Sequence, residues 1–368
     1  MNLSQLSKEL TGKTGRMVPI KSHMNAENPY VRMGIDLQDG YYRAASQKAR
    51  RFWADGDKIV EISVHIATSG RPDLLARTLA SISECQLPAG YRETVVIENG
   101  GRSGAEQIVR EAPAALAARY MHVDWGNKSH ALNAALETSG DVLIIYTDDD
   151  VRLAPEALRE YEQIVLERGR GYFYGGPINA DYDAPPPEWL RRYLPCSAKG
   201  WELEDDSDAI DSAVFLGCNW AAFAGDLQAA GGFDVNFGPG SPTGSTGQET
   251  NMQQRLLERG LRGIYVPNAR IWHYVPESRC TPEWAIQRNY RNGLQDAARV
   301  AKDANNPFGL PPWWVTRNYL RGMLGGVRGM LSTDPERRFR AKNRLSYERG
   351  VFEGVLKQVE PVRLRRAA

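Results

Sequence analysis

Cysteine is scarce in this chain of 368 residues. Cys85, Cys196, Cys218 and Cys280 stand far apart and form no CxxC pair, which excludes a zinc knuckle and a dense disulfide framework and leaves four reduced thiols. Long apolar runs are missing too. The longest apolar-leaning window, 213–224, is interrupted by Asn219 and falls far short of the roughly 20 residues that span a bilayer. Residues 1–15 are polar and lack the apolar core of a secretory signal, so a cytoplasmic protein is expected. Nor does either sign of charge dominate: 46 Lys+Arg face 45 Asp+Glu, a net of +1, so the footprint of a dedicated nucleic-acid binder is absent. Partners must be met at local sites. The 42% hydrophobic and 25% charged residues match a soluble globular chain and exclude wholesale disorder.

Residues 1–55 show no sustained period beyond one short helix expected over 41–53, which ends in Lys48, Arg50 and Arg51, and they read as an N-terminal extension. From Glu61 the texture changes. Ile62, Val64 and Ile66 alternate as in a strand, a turn follows from Thr68 to Pro72, and Leu74, Leu75, Thr78, Leu79 and Ile82 then recur at helical spacing. A strand over 93–98 runs into Asn99, Gly100 and Gly101, a strong turn signal. A helix over about 105–118, a short strand over 120–123 and a helix over about 129–138 come next. The run DVLIIY (141–146), bounded by Gly140 and by three aspartates, has the look of a strand covered on both faces. Strands alternating with helices of this length predict an α/β fold with a mostly parallel central sheet flanked by helices.

Residues 177–212 are rich in Pro, Asp, Trp and Tyr with no period, and are expected to form an irregular insertion over the sheet. Beyond it lie the segment 215–223, a glycine-rich loop over 238–247, an expected helix over 249–259 closed by Gly260 and an expected strand over 263–266. From Thr281, where Pro282 and Glu283 make a helix start, the chain reads as mainly helical.

The aspartates carry the chemistry. In open α/β sheets ligands bind at the carboxyl ends of the strands, where Asp148, Asp149 and Asp150 stand. Alternation along an extended segment lets Asp148 and Asp150 face one side together, as a hard oxygen site for a divalent cation. The alternative is a solvated acidic turn or helix cap.

The neighbouring segments narrow the choice. Thr68 and Arg71, then Glu98, Asn99 and Gly100, NKSHALNAAL (127–136) and YTDDDV (146–151) are followed by FLGCN, GGFD (231–234), GQETNMQQRLLERG (247–260) and YVPNARIWHYVPESR (265–279). In order and spacing, over about residues 60–295, this set resembles the inverting, metal-dependent family 2 glycosyltransferases of the GT-A fold. The resemblance implies a catalytic domain over 56–275, with a nucleotide-sugar half over 56–151 and an acceptor half over 152–275, and a helical C-terminal region over 276–368.

It implies roles as well. Thr68 and Arg71 would embrace the nucleoside. Glu98 stands where relatives have an Asp that hydrogen-bonds the base, and Asn99, Lys128, Asn133, Asp148 and Asp149 would complete the nucleotide-sugar site, Asp148 on the ribose. Asp150 and His273 would hold Mn²⁺ or Mg²⁺, the imidazole favouring Mn²⁺ somewhat; alone, a histidine between Trp272 and Tyr274 also reads as a packed core residue. Glu249 would be the general base that deprotonates the acceptor, although Gln248-Glu249 replaces the usual Glu-Asp; the bland reading is a favourable charge at a helix N-terminus. Arg279, Arg288 and Arg291 would face the leaving diphosphate, the last two sharing a helix face that could equally be solvated. The loop 238–247 has the glycines of a lid or of a plain connection. Asp226 departs from the basic residue that many relatives carry.

The expected partners are a UDP, GDP or dTDP sugar and a glycan, lipid-linked or small-molecule acceptor, with no nucleic acid. A nucleotidyltransferase and a non-catalytic nucleotide-sugar-binding protein are the rival readings. The C-terminal segment mixes Trp313, Trp314, Tyr319, Leu320 and Met323 with the basic runs ERRFRAKNR and RLRR. It reads as a core helix with a charged outer face, peripheral contact with an anionic membrane being the alternative.

Overall fold

The computed structural model describes residues 59–203, 209–303 and 311–366; the N-terminal extension and its expected helix lie outside them. In chain order the elements are β1 (Ile62–Thr68), α1 (Pro72–Ser83), β2 (Tyr91–Asn99), α2 (Ala105–Arg110), β3 (Arg119–Val123), α3 (Lys128–Glu137), β4 (Leu143–Asp148) and β5 (Val151–Leu153). There follow α4 (Ala157–Arg168), β6 (Tyr172–Gly175), β7 (Ile178–Tyr182), the short α5 (Glu188–Arg191) and α6 (Cys196–Lys199), β8 (Asn219–Phe223) and α7 (Ala224–Ala229). Next come α8 (Gln248–Glu258), β9 (Arg262–Tyr265), β10 (Ile271–Val275), α9 (Pro282–Asp303), α10 (Trp313–Met330) and α11 (Pro335–Arg366).

Seven strands form the central sheet in the order β3-β2-β1-β4-β8-β6-β9. Its pairs are parallel except where β8 lies antiparallel to β4 and β6. Period-2 alternation divides the core between the two faces. Ile62, Val64, Ile66, Leu143 and Ile145 pack with Leu75, Leu79 and Ile82 of α1 and Leu158, Tyr161 and Val165 of α4. Ile144 and Tyr146 point the other way, to Leu132 and Leu136 of α3, Trp220, Phe233, and Met252 and Leu256 of α8. The four cysteines are free thiols, as expected.

Two expected secondary-structure spans are corrected. The helix starting at Ala105 ends at Arg110, and a single 3-10 turn at Ala114–Leu116 replaces its second half, because Pro113 can neither donate to a helical ladder nor leave room for the preceding turn. The stretch 177–212 is not wholly irregular. It contains β7, which runs parallel to β10 from Ile178↔Ile271 to Tyr182↔Val275, while β5 lies antiparallel on the other side of β10. Strands of three to five residues carry too little alternation to be read locally, and these are held by pairing across long sequence separations.

β1 buries His65 completely. Its ring meets Tyr146 edge-on at 5.8 Å, and burial, with Arg119 adding to it, pushes the imidazole down to about 3. The unfolded chain takes up this proton near the ordinary 6.5 and the folded chain does not, so stability falls as pH drops below 6.5. Urea unfolding is expected to show the wild type losing about 2 kcal/mol more than His65→Leu between pH 7 and pH 5. Equal losses in the two proteins would remove His65 as the cause.

In the C-terminal region α9 and α10 both pack on α11, sharing a core of Ala297, Val315, Val351 and Val355. Gly293 and Gly350 make the crossing possible, since a Cβ on either would fall 2.3 or 2.1 Å from a backbone carbonyl of the opposing helix. The expected core helix with a charged outer face is not what α10 forms, because its outward side also carries Trp313, Leu324 and Val327, each more than half exposed.

Candidate active site

β4 ends at Asp148, the chain turns at Asp149 and Asp150, and β5 leaves at once from Val151. That turn lies at the carboxyl end of the parallel strands. β5 then pairs with β10 so that Val151 stands opposite His273, and Tyr274 N donates to Asp150 O at 2.8 Å. This small sheet is what carries a histidine more than a hundred residues away to the aspartates. One ligand atom each of Asp148, Asp150 and His273 lies within 4.8 Å of the others.

Asp149 is not in that group. It accepts a hydrogen bond from Thr68 Oγ1 at 2.6 Å and is paired with Arg71. The same guanidinium reaches Asp150 Oδ2 at 2.5 Å, so Arg71 bridges two adjacent carboxylates with its planar fork. Lys128, at the start of α3, pairs with Asp148, and Arg279 Nη1 lies 3.7 Å from Asp150 Oδ2. Burial works against the charge on Lys128, but Asp148 beside it holds the ammonium above its usual value. Burial likewise opposes ionisation of Asp148, yet Lys128 first, then His273 and Arg71, hold it below the usual carboxylate range. Asp149 behaves differently: burial, with Asp150 and Asp148 adding to it, outweighs Arg71 and Thr68 and raises it to about 6.

The cluster suits a divalent cation. Two carboxylates and an imidazole are a donor set for Mn²⁺ or Mg²⁺, and the buried Asp150 Oδ1 has no hydrogen-bond partner, facing only His273 Nε2 at 3.3 Å. Asp148, expected on the ribose, is brought into the same ligand group.

Glu249 lies in the first turn of α8. Gly247, just before α8, adopts φ +81°, a backbone conformation that favours glycine, and lies against the side chain of Gln295 in α9. Gly217, in the FLGCN segment, leaves room for the carboxylate: a Cβ at that position would lie 3.3 Å from Glu249 Oε2. Burial raises Glu249, Lys128 and Arg288 pull it back and Asp148 adds to the rise. Arg288 is itself held below its usual value, by burial first and then by the nearby Arg291 and Arg279, with Glu249 opposing. Its buried Nε has no hydrogen-bond partner. The three arginines expected at the diphosphate are therefore neighbours, and like charges kept together call for an anion.

The remaining expected residues have protein partners. Glu98, next to last in β2, is deeply buried; its Oε1 accepts from Ser103 N and Oγ, and its Oε2 from the Tyr120 hydroxyl, each at 2.6 Å. Burial opposes its charge, but these bonds hold it below its ordinary value, and burial together with the bond to Glu98 pushes Tyr120 up to about 12. Asn99 Nδ2 donates to Thr68 O at 2.8 Å, fixing the end of β2 to the end of β1. Asn133 departs from its expected role. Its Nδ2 donates to Phe233 O at 2.8 Å and its Oδ1 accepts from Phe233 N at 2.7 Å, which makes it a tie between α3 and the GGFD turn rather than a free amide for a ligand.

The loop 238–247 is strapped down. Lys128 N donates to Pro239 O at 3.0 Å, Asn127 Nδ2 to Val235 O at 2.9 Å and Gly240 O at 3.3 Å, and Thr246 Oγ1 to Gln295 Oε1 at 2.9 Å. Sequence reasoning missed Ser103, Tyr120 and Gly217. A hydroxyl that serves a carboxylate 22 residues away has no local signature, and only the pairing of β2 with β3 brings the two together.

Residues 60–294 match the family described as glycosyltransferase like family 2. Over 328 residues the chain is 26% identical to the succinoglycan biosynthesis protein ExoM of Rhizobium meliloti (strain 1021), covering 83% of this chain and 96% of that protein. Among solved structures it is similar to the mannosyltransferase PcManGT from Pyrobaculum calidifontis in complex with GDP-Man and Mn²⁺, at 18% identity and a TM-score of 0.49, covering 88% of this chain and 94% of that one. S. aureus TarS 1-349 in complex with UDP-GlcNAc is similar at 12% identity and a TM-score of 0.46, with coverage of 79% and 90%. The family match runs from the first strand of the central sheet into α9 and takes in the aspartate turn, Glu249, His273 and the arginines, and the chain belongs to glycosyltransferase family 2.

Proposed function

We propose that the chain transfers a sugar from a nucleoside diphosphate sugar to an acceptor hydroxyl, with inversion at the anomeric carbon, in polysaccharide synthesis. The observation that carries this reading is the group of Asp148, Asp150 and His273, one ligand atom of each within 4.8 Å of the others, with the Glu249 carboxylate feeling the charges of Lys128, Arg288 and Asp148. Likeness to a succinoglycan biosynthesis protein supports the polysaccharide setting.

Glu249 takes the proton of the acceptor hydroxyl, whose oxygen then attacks the anomeric carbon from the side opposite the leaving group. The bond from that carbon to the diphosphate oxygen breaks, and its electron pair leaves with the nucleoside diphosphate. Arg279, Arg288 and Arg291 gather where the leaving charge develops, and being preorganised they need no rearrangement as it forms. Asp148, Asp150 and His273 would hold a divalent cation, which neutralises diphosphate charge when bound; the imidazole in the set favours Mn²⁺. Thr68 and Arg71 hold Asp149 and Asp150 and would border the nucleoside, and Glu98, fixed by Ser103 and Tyr120, would face the base.

A thermal-shift screen of UDP, GDP and dTDP sugars with and without Mn²⁺ tests the donor site. A donor at a hundred times its Kd stabilises the folded chain by about 2.7 kcal/mol, and one nucleotide sugar is expected to give a Mn²⁺-dependent shift. Incubation of that donor with glycan acceptors should then release a nucleoside diphosphate and give the inverted linkage by NMR. Release of pyrophosphate, or a retained anomeric configuration, would refute the mechanism.

A further inference from the structure

On α10 the usual arrangement of a surface helix is reversed. The side packed on α11 is lined by glycine: a Cβ added at Gly322 or Gly326 would lie 3.5 or 3.2 Å from Leu345, and one at Gly329 only 2.2 Å from Ala341 Cβ. Apart from Val315, buried in the core shared with α11, and Tyr319, stacked on Phe352, most of the bulky apolar residues face solvent. Trp313 is 71% exposed, Leu324 67%, Val327 61% and Leu331, just beyond the helix, 82%. With Leu320 they recur at helical spacing and form one continuous ridge. A surface helix ordinarily turns such residues inward, and a contiguous exposed apolar strip marks an interaction site.

Charge identifies the partner. The sequence of α10, WWVTRNYLRGMLGGVRGM, contains three arginines and no acidic residue. Arg317, Arg321 and Arg328 are exposed and follow the ridge along one flank at spacings of four and seven. A second copy of the helix laid on this face would set arginine near arginine, with no carboxylate on either helix to pair with them. An anionic lipid surface complements both features, the acyl boundary receiving the ridge and the headgroup phosphates the guanidinium forks. Trp313 and Trp314, at the start of the helix, are of the type enriched at membrane interfaces. Among the described residues no helix is long and apolar enough to cross a membrane, so the contact is one of lying on the surface.

We propose that α10 docks the protein on an anionic membrane surface, its apolar ridge sunk to the acyl boundary and Arg317, Arg321 and Arg328 on lipid phosphates. Docking of this kind is independent of the transfer chemistry. Flotation of the full chain with vesicles of phosphatidylcholine containing about a third phosphatidylglycerol, against phosphatidylcholine alone, tests it. The wild type is expected to partition at least about tenfold more strongly onto the anionic vesicles, less so as salt rises. The combined Arg317→Gln, Arg321→Gln and Arg328→Gln variant should fall to the level seen on neutral vesicles, and Leu324→Gln should weaken binding even at low salt. Both change exposed side chains and should keep the wild-type melting temperature. Wild-type binding indifferent to phosphatidylglycerol, or unchanged by Leu324→Gln, would overturn the proposal. So would a dimer in sedimentation that Leu324→Gln converts to monomer, which would assign the face to a second copy.

Discussion

Glu249→Gln is expected to lower kcat by about 10²–10⁴-fold while leaving the donor Kd within about threefold of wild type. The amide keeps the shape of the carboxylate against Gly217, so what is lost is the proton acceptor. In the wild type, burial raises Glu249, and a base works only when deprotonated. The acid limb of the kcat profile should therefore lie above the ordinary carboxylate range, with activity lost as pH falls through it. A rate profile on wild type and variant checks both statements together. If the variant keeps wild-type kcat, Glu249 is a helix-terminal charge and nothing more.

Asp150→Ala should act at the other step. The carboxylate is buried among Arg71, His273 and Arg279, and its removal takes one ligand from the Asp148, Asp150 and His273 group. Mn²⁺ affinity, read by the electron paramagnetic resonance of the free ion, is expected to fall at least about a hundredfold, and the Mn²⁺-dependent part of the donor's thermal shift to vanish. Arg71 retains its pair with Asp149, so the fold should persist with an unchanged circular dichroism spectrum. The two variants separate the functions of the site: one binds donor without turnover, the other loses the cation. Unchanged Mn²⁺ affinity in the folded Asp150→Ala protein would place the cation elsewhere.

The central sheet was legible because its strands are long enough, or apolar enough, to declare themselves. β1 alternates at Ile62, Val64 and Ile66, β4 is an unbroken apolar run ending in aspartates, and α1 opens on Pro72 and repeats its apolar positions through Ile82. The helix expected to reach residue 118 stops at Arg110 because Pro113 breaks the ladder, although the alanines around that proline favour a helix. Asn133 sits inside a segment that resembles the family, but its amide is engaged by the backbone of Phe233. That partner, a hundred residues away, left no mark on the local pattern.

What the sequence determined by itself was the α/β architecture, the acidic turn at the carboxyl end of β4 and the presence of an acid at 249, because burial patterning and turn chemistry are local properties. The tertiary structure alone decided how those residues combine. Pairing of β5 with β10 sets His273 beside Asp150, and Lys128 reaches Asp148 only because α3 begins beside the end of β4. Arg288 comes within range of Glu249 where Gln295 of α9 meets Thr246 and Gly247, just before α8. The outward turn of Trp313 and Leu324 was decided in the same way. Hydrophobic residues at helical spacing define a face but not its direction, and on α10 it was the close fit of Gly322, Gly326 and Gly329 to α11 that sent the apolar ridge to the surface.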